Sequence, residues 1–231
     1  QSQFNNLTFH GEFGGDDLRR LLAALHNLRK QSYEAVNLDF RSLTKAYTPH
    51  LLPLAVTCRK FLHEGFEVRL ELPSERKLER LFVNSNWAHL IDPQGFEKVE
   101  YEQAQHLPAL LYSTPEDQHS AVDRALELIL RNLNIRDRKQ IQAIEWSVNE
   151  VADNVLNHSN SPIGGAIQVS ARQTKNTVEF VVSDGGVGVP KTLRESHRHY
   201  TSDVEALDKA IREGVTRNNA TNQGNGLFGS F

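Results

Sequence analysis

The sequence predicts an α/β protein built of two units, and three observations carry that prediction. Through residue 112, short apolar runs of period two alternate with longer runs of helical period. Beyond residue 116, two helical runs lead into a hairpin. The hairpin ends in "SDGGVGVPK", Ser183 to Lys191, where an acid closes an apolar strand and glycines follow it. Strands that alternate with helices form layered α/β structures.

The first unit begins with "LTFHGEF", which alternates as a strand. "GGDDLRRLLAALHNLRKQ" predicts a helix with Asp16 or Asp17 as N-cap and Leu18, Leu21, Leu22, Leu25 and Leu28 on one face. "AVNLDF" is a second strand, with Val36, Leu38 and Phe40 on one side. "PHLLPLAVTCRKFLHEG" is a helix closed by Gly65. "FEVRLEL" is a third strand, and "PSERKLERLFVNSN" is a helix that starts at Pro73 and Ser74. From Gly95 to Glu116 proline, scattered charge and the lack of a sustained period predict a domain boundary near 112–116.

The second unit opens with the helices "EDQHSAVDRALELILRNLN" and "RDRKQIQAIEWSVNEVADNVLNHS". "GAIQVSARQ", a "TKN" turn and "TVEFVVS" make the hairpin. A polar stretch with the helix "SDVEALDKAIREG" comes next, then a second glycine-rich run, "QGNGLFG".

Composition sets bounds on function. An apolar fraction of 39% beside 24% charged residues suits a soluble globular protein. A net charge of -3 does not point to nucleic acid. No apolar run approaches the roughly 20 residues of a membrane span, and the start carries no signal-peptide pattern. The single cysteine, Cys58, rules out an internal disulfide and fits a reducing, cytoplasmic setting. Its place in "LLPLAVTCRKFL" predicts a buried structural thiol.

The chemistry concentrates on the second helix of the second unit. Glu150, Asn154 and His158 are spaced i, i+4, i+8, a near-straight row that Trp146 extends. Ile144, Val148, Val151, Ala152 and Val155 lie mostly elsewhere on the helix. Taken alone, such a row is a solvated polar face or a site. Likewise Gly185 and Gly186 form a turn or a close backbone approach, and Gly224 and Gly226 a tail or an anion cradle. His197 and His199 form a pair with no third metal ligand at an evident spacing.

The order Glu-x-x-x-Asn on a helix, Asp-Gly-Gly-x-Gly after a strand, then Gly-x-Gly-Leu-x-Gly resembles the GHKL family, the gyrase, heat-shock chaperone, histidine kinase and mismatch-repair ATPases. The resemblance spans residues 116–231. It implies a GHKL-type α/β sandwich that binds ATP with Mg²⁺. Asp184 would accept a hydrogen bond from the adenine amine, and Gly186 and Gly188 would let backbone approach the base and sugar. Asn154 would ligate Mg²⁺ through its amide oxygen, and Asn157 and His158 would lie at the nucleotide. Gly224, Gly226 and Leu227 would form the phosphate loop.

Residues between Pro190 and Gln223 would form the lid, with Lys191, Arg194, Arg198, Lys209, Arg212 and Arg217 as its cations and Arg217 as the best phosphate contact. Glu150 would be the base, acting on a water in an ATPase or on a serine hydroxyl in a kinase of the anti-sigma type. Histidine kinases usually carry asparagine at that position, which disfavours that branch. A third reading is a non-catalytic module whose lid orders on ATP binding. A protein partner or a homodimer would couple to the lid. The family's fold continues past the second glycine loop, so on this resemblance the sandwich is truncated at Phe231.

Residues 1–112 are similar in pattern to STAS domains, which implies a regulatory role. "LDFRSLTKAYTPH" occupies the place of their phosphoserine loop, with Ser42, Thr44 and Thr48 as the hydroxyls.

Overall fold

The computed structural model describes residues 5–196 and 202–212. Its first sheet is parallel, in the order β1-β2-β3, from β1 (Asn5–Glu12), β2 (Ala35–Lys45) and β3 (Glu67–Glu71). Helices α1 (Gly15–Lys30) and α2 (Thr48–His63) make the crossovers, and α3 (Arg76–Asn84) and the short α4 (Trp87–Ile91) follow. Parallel neighbours require such crossovers. The second sheet is antiparallel, in the order β4-β5-β6, from β4 (His106–Tyr112), β5 (Gly165–Arg172) and β6 (Thr177–Asp184). Helices α5 (Pro115–Asn132) and α6 (Arg138–His158) separate β4 from β5, and α7 (Val189–Ser196) and α8 (Asp203–Arg212) come after β6. The α/β reading and its alternation are borne out.

Two faces of the second sheet bury different partners. Ile167, Val169 and Ala171 of β5 join Val122, Ala125 and Leu128 of α5 and Val148, Ala152 and Val155 of α6 in one core. Ala166 of β5 and Ala109 of β4 point the other way, into the core built by the first unit. Helix α2 packs on that back face against β5 and β6. The period of two that divides a strand's side chains between faces thus makes this sheet a wall shared by both units.

The seam is also polar. Trp87 Nε1 donates to Gln168 Oε1 at 2.8 Å, with both residues buried, and Gln168 Nε2 has no partner among the described residues. Asn86, buried and left-handed at φ 62°, donates from Nδ2 to the carbonyls of Val99 (2.9 Å) and Ala109 (3.2 Å). Its Oδ1 accepts from the Val99 amide at 2.7 Å, and the Ala109 amide donates to the Ser85 carbonyl at 3.0 Å. The junction of α3 and α4 therefore covers the outer edge of β4, which would otherwise present unpaired backbone groups.

Several sequence expectations are corrected. Strand β4 falls where the sequence shows no period. It is apolar throughout, holds Pro108 at an edge where a missing N–H is tolerated, and has a register shift between Leu107 and Leu110. By pairing with β5 it joins the second sheet. Helix α1 is capped at Gly14, not at Asp16 or Asp17. Asp17 sits at the third helical position and accepts the Gly14 amide at 3.1 Å. Helix α3 begins after Glu75, whose carboxylate accepts the Leu78 amide at 2.7 Å, rather than at Pro73 and Ser74. Ser42 and Thr44 lie in β2, not in a loop, because β2 runs on to Lys45 beside β1. Thr48 opens α2 and is buried. Cys58 is buried as expected, and burial pushes its thiol up to about 12.

Trp87→Phe removes the donor to Gln168 and leaves both ends of that buried amide without partners. The expected loss is about 1–3 kcal/mol, read as a lower urea midpoint. A variant as stable as the wild type would show that the seam does not depend on this bond.

Candidate functional site

Helix α6 supplies one wall of the site. Val148, Ala152 and Val155 are buried against the sheet. That orientation leaves the row Trp146, Glu150, Asn154 and His158 at the margin of the core. Trp146 is 40% exposed, and Glu150, Asn154 and His158 are half-buried. Asn157 is exposed beside the row.

The turn after β6 supplies the second wall, and it is pinned to the end of α6. The Val187 amide donates to the carbonyl of Ser159, the C-cap of α6, at 2.9 Å. A Cβ on Gly186 would lie 2.1 Å from that same carbonyl oxygen. Only glycine permits this approach. Asp184 Oδ1 accepts the Gly186 amide at 2.7 Å, which fixes the carboxylate on the turn. The Gly185 amide donates to Ser161 Oγ at 3.2 Å, and the Ser161 amide to Ser159 Oγ at 3.0 Å. Gly188 has φ +81°, a left-handed conformation suited to glycine, and its carbonyl accepts from Thr192 Oγ1 at 3.1 Å as α7 begins.

The structure thus brings together the end of α6, Asp184, Gly186 and Gly188. Asn154 stands one turn and Glu150 two turns back from His158, about 6 and about 12 Å along the axis at 1.5 Å per residue. Arg217, Gly224, Gly226 and Leu227 lie outside the described residues, as do His197, His199 and Arg198. Two cations of the expected lid already have acidic neighbours. Arg194 pairs with Asp203 of α8 at 2.7 Å, and Lys191 lies 3.9 Å from Glu195.

A family model described as the histidine kinase-like ATPase domain matches residues 111–228. The chain belongs to this family. Neither the curated proteins nor the solved structures gave a match. The match bears out the GHKL resemblance in the C-terminal half, and it identifies an ATPase-type domain of the ATP-binding class. Among the described residues no helix is long and apolar enough to cross a membrane.

The electrostatics of this ATPase-family domain are set by α6. The Glu150 carboxyl is held above the ordinary glutamate range, first by desolvation and then by the charge of Asp153. The Asp153 carboxylate accepts a hydrogen bond from Gln118 of α5. Tyr112, at the end of β4, donates to the Ala152 carbonyl at 3.3 Å. Burial, and then the charges of Asp184 and Asp153, raise its phenol well above the usual range, so it stays a donor. No described residue hydrogen-bonds the side chain of Asn154. Its amide oxygen is the hard neutral donor that a Mg²⁺ ion accepts, so the row fits that ion.

Sequence reasoning missed Ser159, Ser161, Tyr112 and Asp153. The "SNS" after His158 offered a signal for the first two, since closely spaced serines often bond nearby backbone amides. Tyr112 carried none, because its role depends on the pairing of β4.

Two outcomes are expected. Gly186→Ala forces the turn away from Ser159 and lowers stability by about 1–3 kcal/mol in urea unfolding; an unchanged midpoint would mean the turn is free of α6. Glu150→Gln raises stability at pH 7, because a carboxyl raised above its unfolded value opposes folding once ionised. The gain vanishes as pH falls through and below the ordinary carboxylate range, where both states are protonated. Melting curves from pH 3 to 8 check the sign.

Proposed function

We propose that the C-terminal unit, residues 116–231, binds Mg·ATP along the open row of α6 and hydrolyses it, and that residues 1–112 regulate this activity. The observation that carries the proposal is the pinning of the Asp184–Gly188 turn to the C-terminal end of the Glu150, Asn154 and His158 row. A base-reading carboxylate at one end and a proton acceptor about 12 Å along the helix match the two ends of an extended nucleoside triphosphate.

Asp184 meets the adenine amine. One of its oxygens is committed to Gly186, and the other has the lone pairs for the base. Gly186 and Gly188 keep that side of the pocket free of side chains. Asn154 would hold Mg²⁺, which would neutralise charge on the phosphates. Asn157 and His158 stand beside the sugar and phosphates. Gly224, Gly226, Leu227 and Arg217, outside the described residues, would meet the outer phosphates. Glu150 accepts the proton of the attacking water as its oxygen bonds to the γ-phosphorus and the bond to the bridging oxygen breaks. Its raised carboxyl is a better base than an ordinary glutamate.

Regulation by the N-terminal unit, STAS-like in its alternation, draws support from the shared sheet. Helix α2 packs behind β5 and β6, the strands that carry the nucleotide turn. A protein partner or a second copy reaching the first unit would act through that wall.

Asn154→Ala is expected to weaken Mg-dependent ATP binding at least about tenfold, the scale of one lost ligand or charge-assisted contact, without moving the melting midpoint. Glu150→Gln is expected to abolish phosphate release while sparing binding. Persistent release by Glu150→Gln would remove this residue as the base. Transfer of label from ATP to a protein serine, in place of free phosphate, would turn the assignment to a kinase.

A further inference from the structure

A cavity of about 520 Å³ opens between α2 and the second unit. That volume lies in the range of small-molecule sites. Arg59 and Leu62 of α2, Tyr112, Asp117 in the first turn of α5, and Ile163 ahead of β5 line it. Leu62 and Ile163, both half-buried, supply its apolar wall, and Tyr112 lies buried behind it.

Two charges in this cleft are unanswered by described residues, one of them the exposed Asp117. Arg59 is half-buried, and its guanidinium makes no hydrogen bond or ion pair with a described residue. The Asp117 carboxylate accepts none either; only its backbone amide is engaged, with Thr114 Oγ1 at 3.1 Å. The two share the cleft without pairing with each other. A guanidinium held partly out of water beside apolar walls gains when an anion with an apolar body enters. It then forms a charge-assisted, two-pronged contact, and the body covers the walls. Glu116 and Asp117 already answer the positive end of α5 in its first turn, so Arg59 is the cation that selects an anion.

We infer that this cleft is a second ligand site, for a small amphiphilic monoanion whose acid group meets Arg59 and whose apolar body lies on Leu62 and Ile163. The assignment does not rest on nucleotide binding. Its place suits an effector site, since one wall touches the Asp184 turn and another bonds α6. Tyr112 bonds α6, and Ile163 Cγ1 lies 3.2 Å from where a Cβ of Gly185 would stand.

The test is a fluorescence titration with 1-anilinonaphthalene-8-sulfonate, an aromatic body with one sulfonate, on the full chain. The wild type is expected to bind one equivalent saturably. Arg59→Ala, on a partly exposed helical position, is expected to weaken binding at least tenfold with an unchanged melting midpoint. Ile163→Trp, which fills the cleft, is expected to block it, and Arg20→Ala on α1 is expected to bind as the wild type does. Octanoate should displace the dye, and 1-octanol should do so at least tenfold less well. Equal affinity in Arg59→Ala, the absence of saturable binding, or equal displacement by octanol would each overturn the assignment.

Discussion

The carbonyl of Ser159 is the point on which the candidate site depends. It ends α6, and it accepts the amide of Val187 from the turn that follows β6. Because a Cβ on Gly186 would stand 2.1 Å from this oxygen, the contact exists only with glycine there. Through it, two elements separated by a whole hairpin share one frame. The carboxylate of Asp184 is thereby held in one frame with the α6 row, Glu150 and Asn154 included. Ser161, which holds the Gly185 amide, reinforces the same anchor from the side.

The second constraint is the double use of the β4-β5-β6 sheet. Its front face packs α5 and α6, and its back face packs α2. Helix α2 packs directly on β6, the strand that ends at the Asp184 turn. The buried bond from Trp87 to Gln168 and the two-carbonyl clamp of Asn86 bind the units along this wall. Tight seams of this kind pass strain on rather than absorb it, since packed interiors are poorly compressible. The proposed regulation would act through this wall, and the cavity beside α2 borders it.

Much of this was legible in the sequence, because period and punctuation act locally. The leucines of α1, the alternation of β1 to β3, the hairpin and the acid that ends β6 each declare themselves within a dozen residues. So does the polar row of α6, whose complement of Val148, Ala152 and Val155 proved to be the buried face. What escaped depends on distant pairing. Strand β4 has no period because it is apolar throughout, and its role appears only beside β5 and under Asn86. Gly14 caps α1 because Asp17 reaches back to it, a choice among neighbours that propensity does not rank. Ser42 and Thr44 were expected in a loop, but pairing with β1 carries β2 past both. The glycine pattern showed that a close approach was needed at Gly186 without showing that Ser159 was the neighbour.

The most direct measurement is calorimetric titration of Mg·ATP into the wild type and Asp184→Asn. Asparagine can keep its oxygen on the Gly186 amide, but it then turns an NH₂ group toward the adenine amine, donor against donor. The wild type should bind one equivalent, and the variant should lose that binding while melting at the wild-type temperature. Equal affinity in the two proteins would contradict the assignment of Asp184, and with it the site built around Ser159.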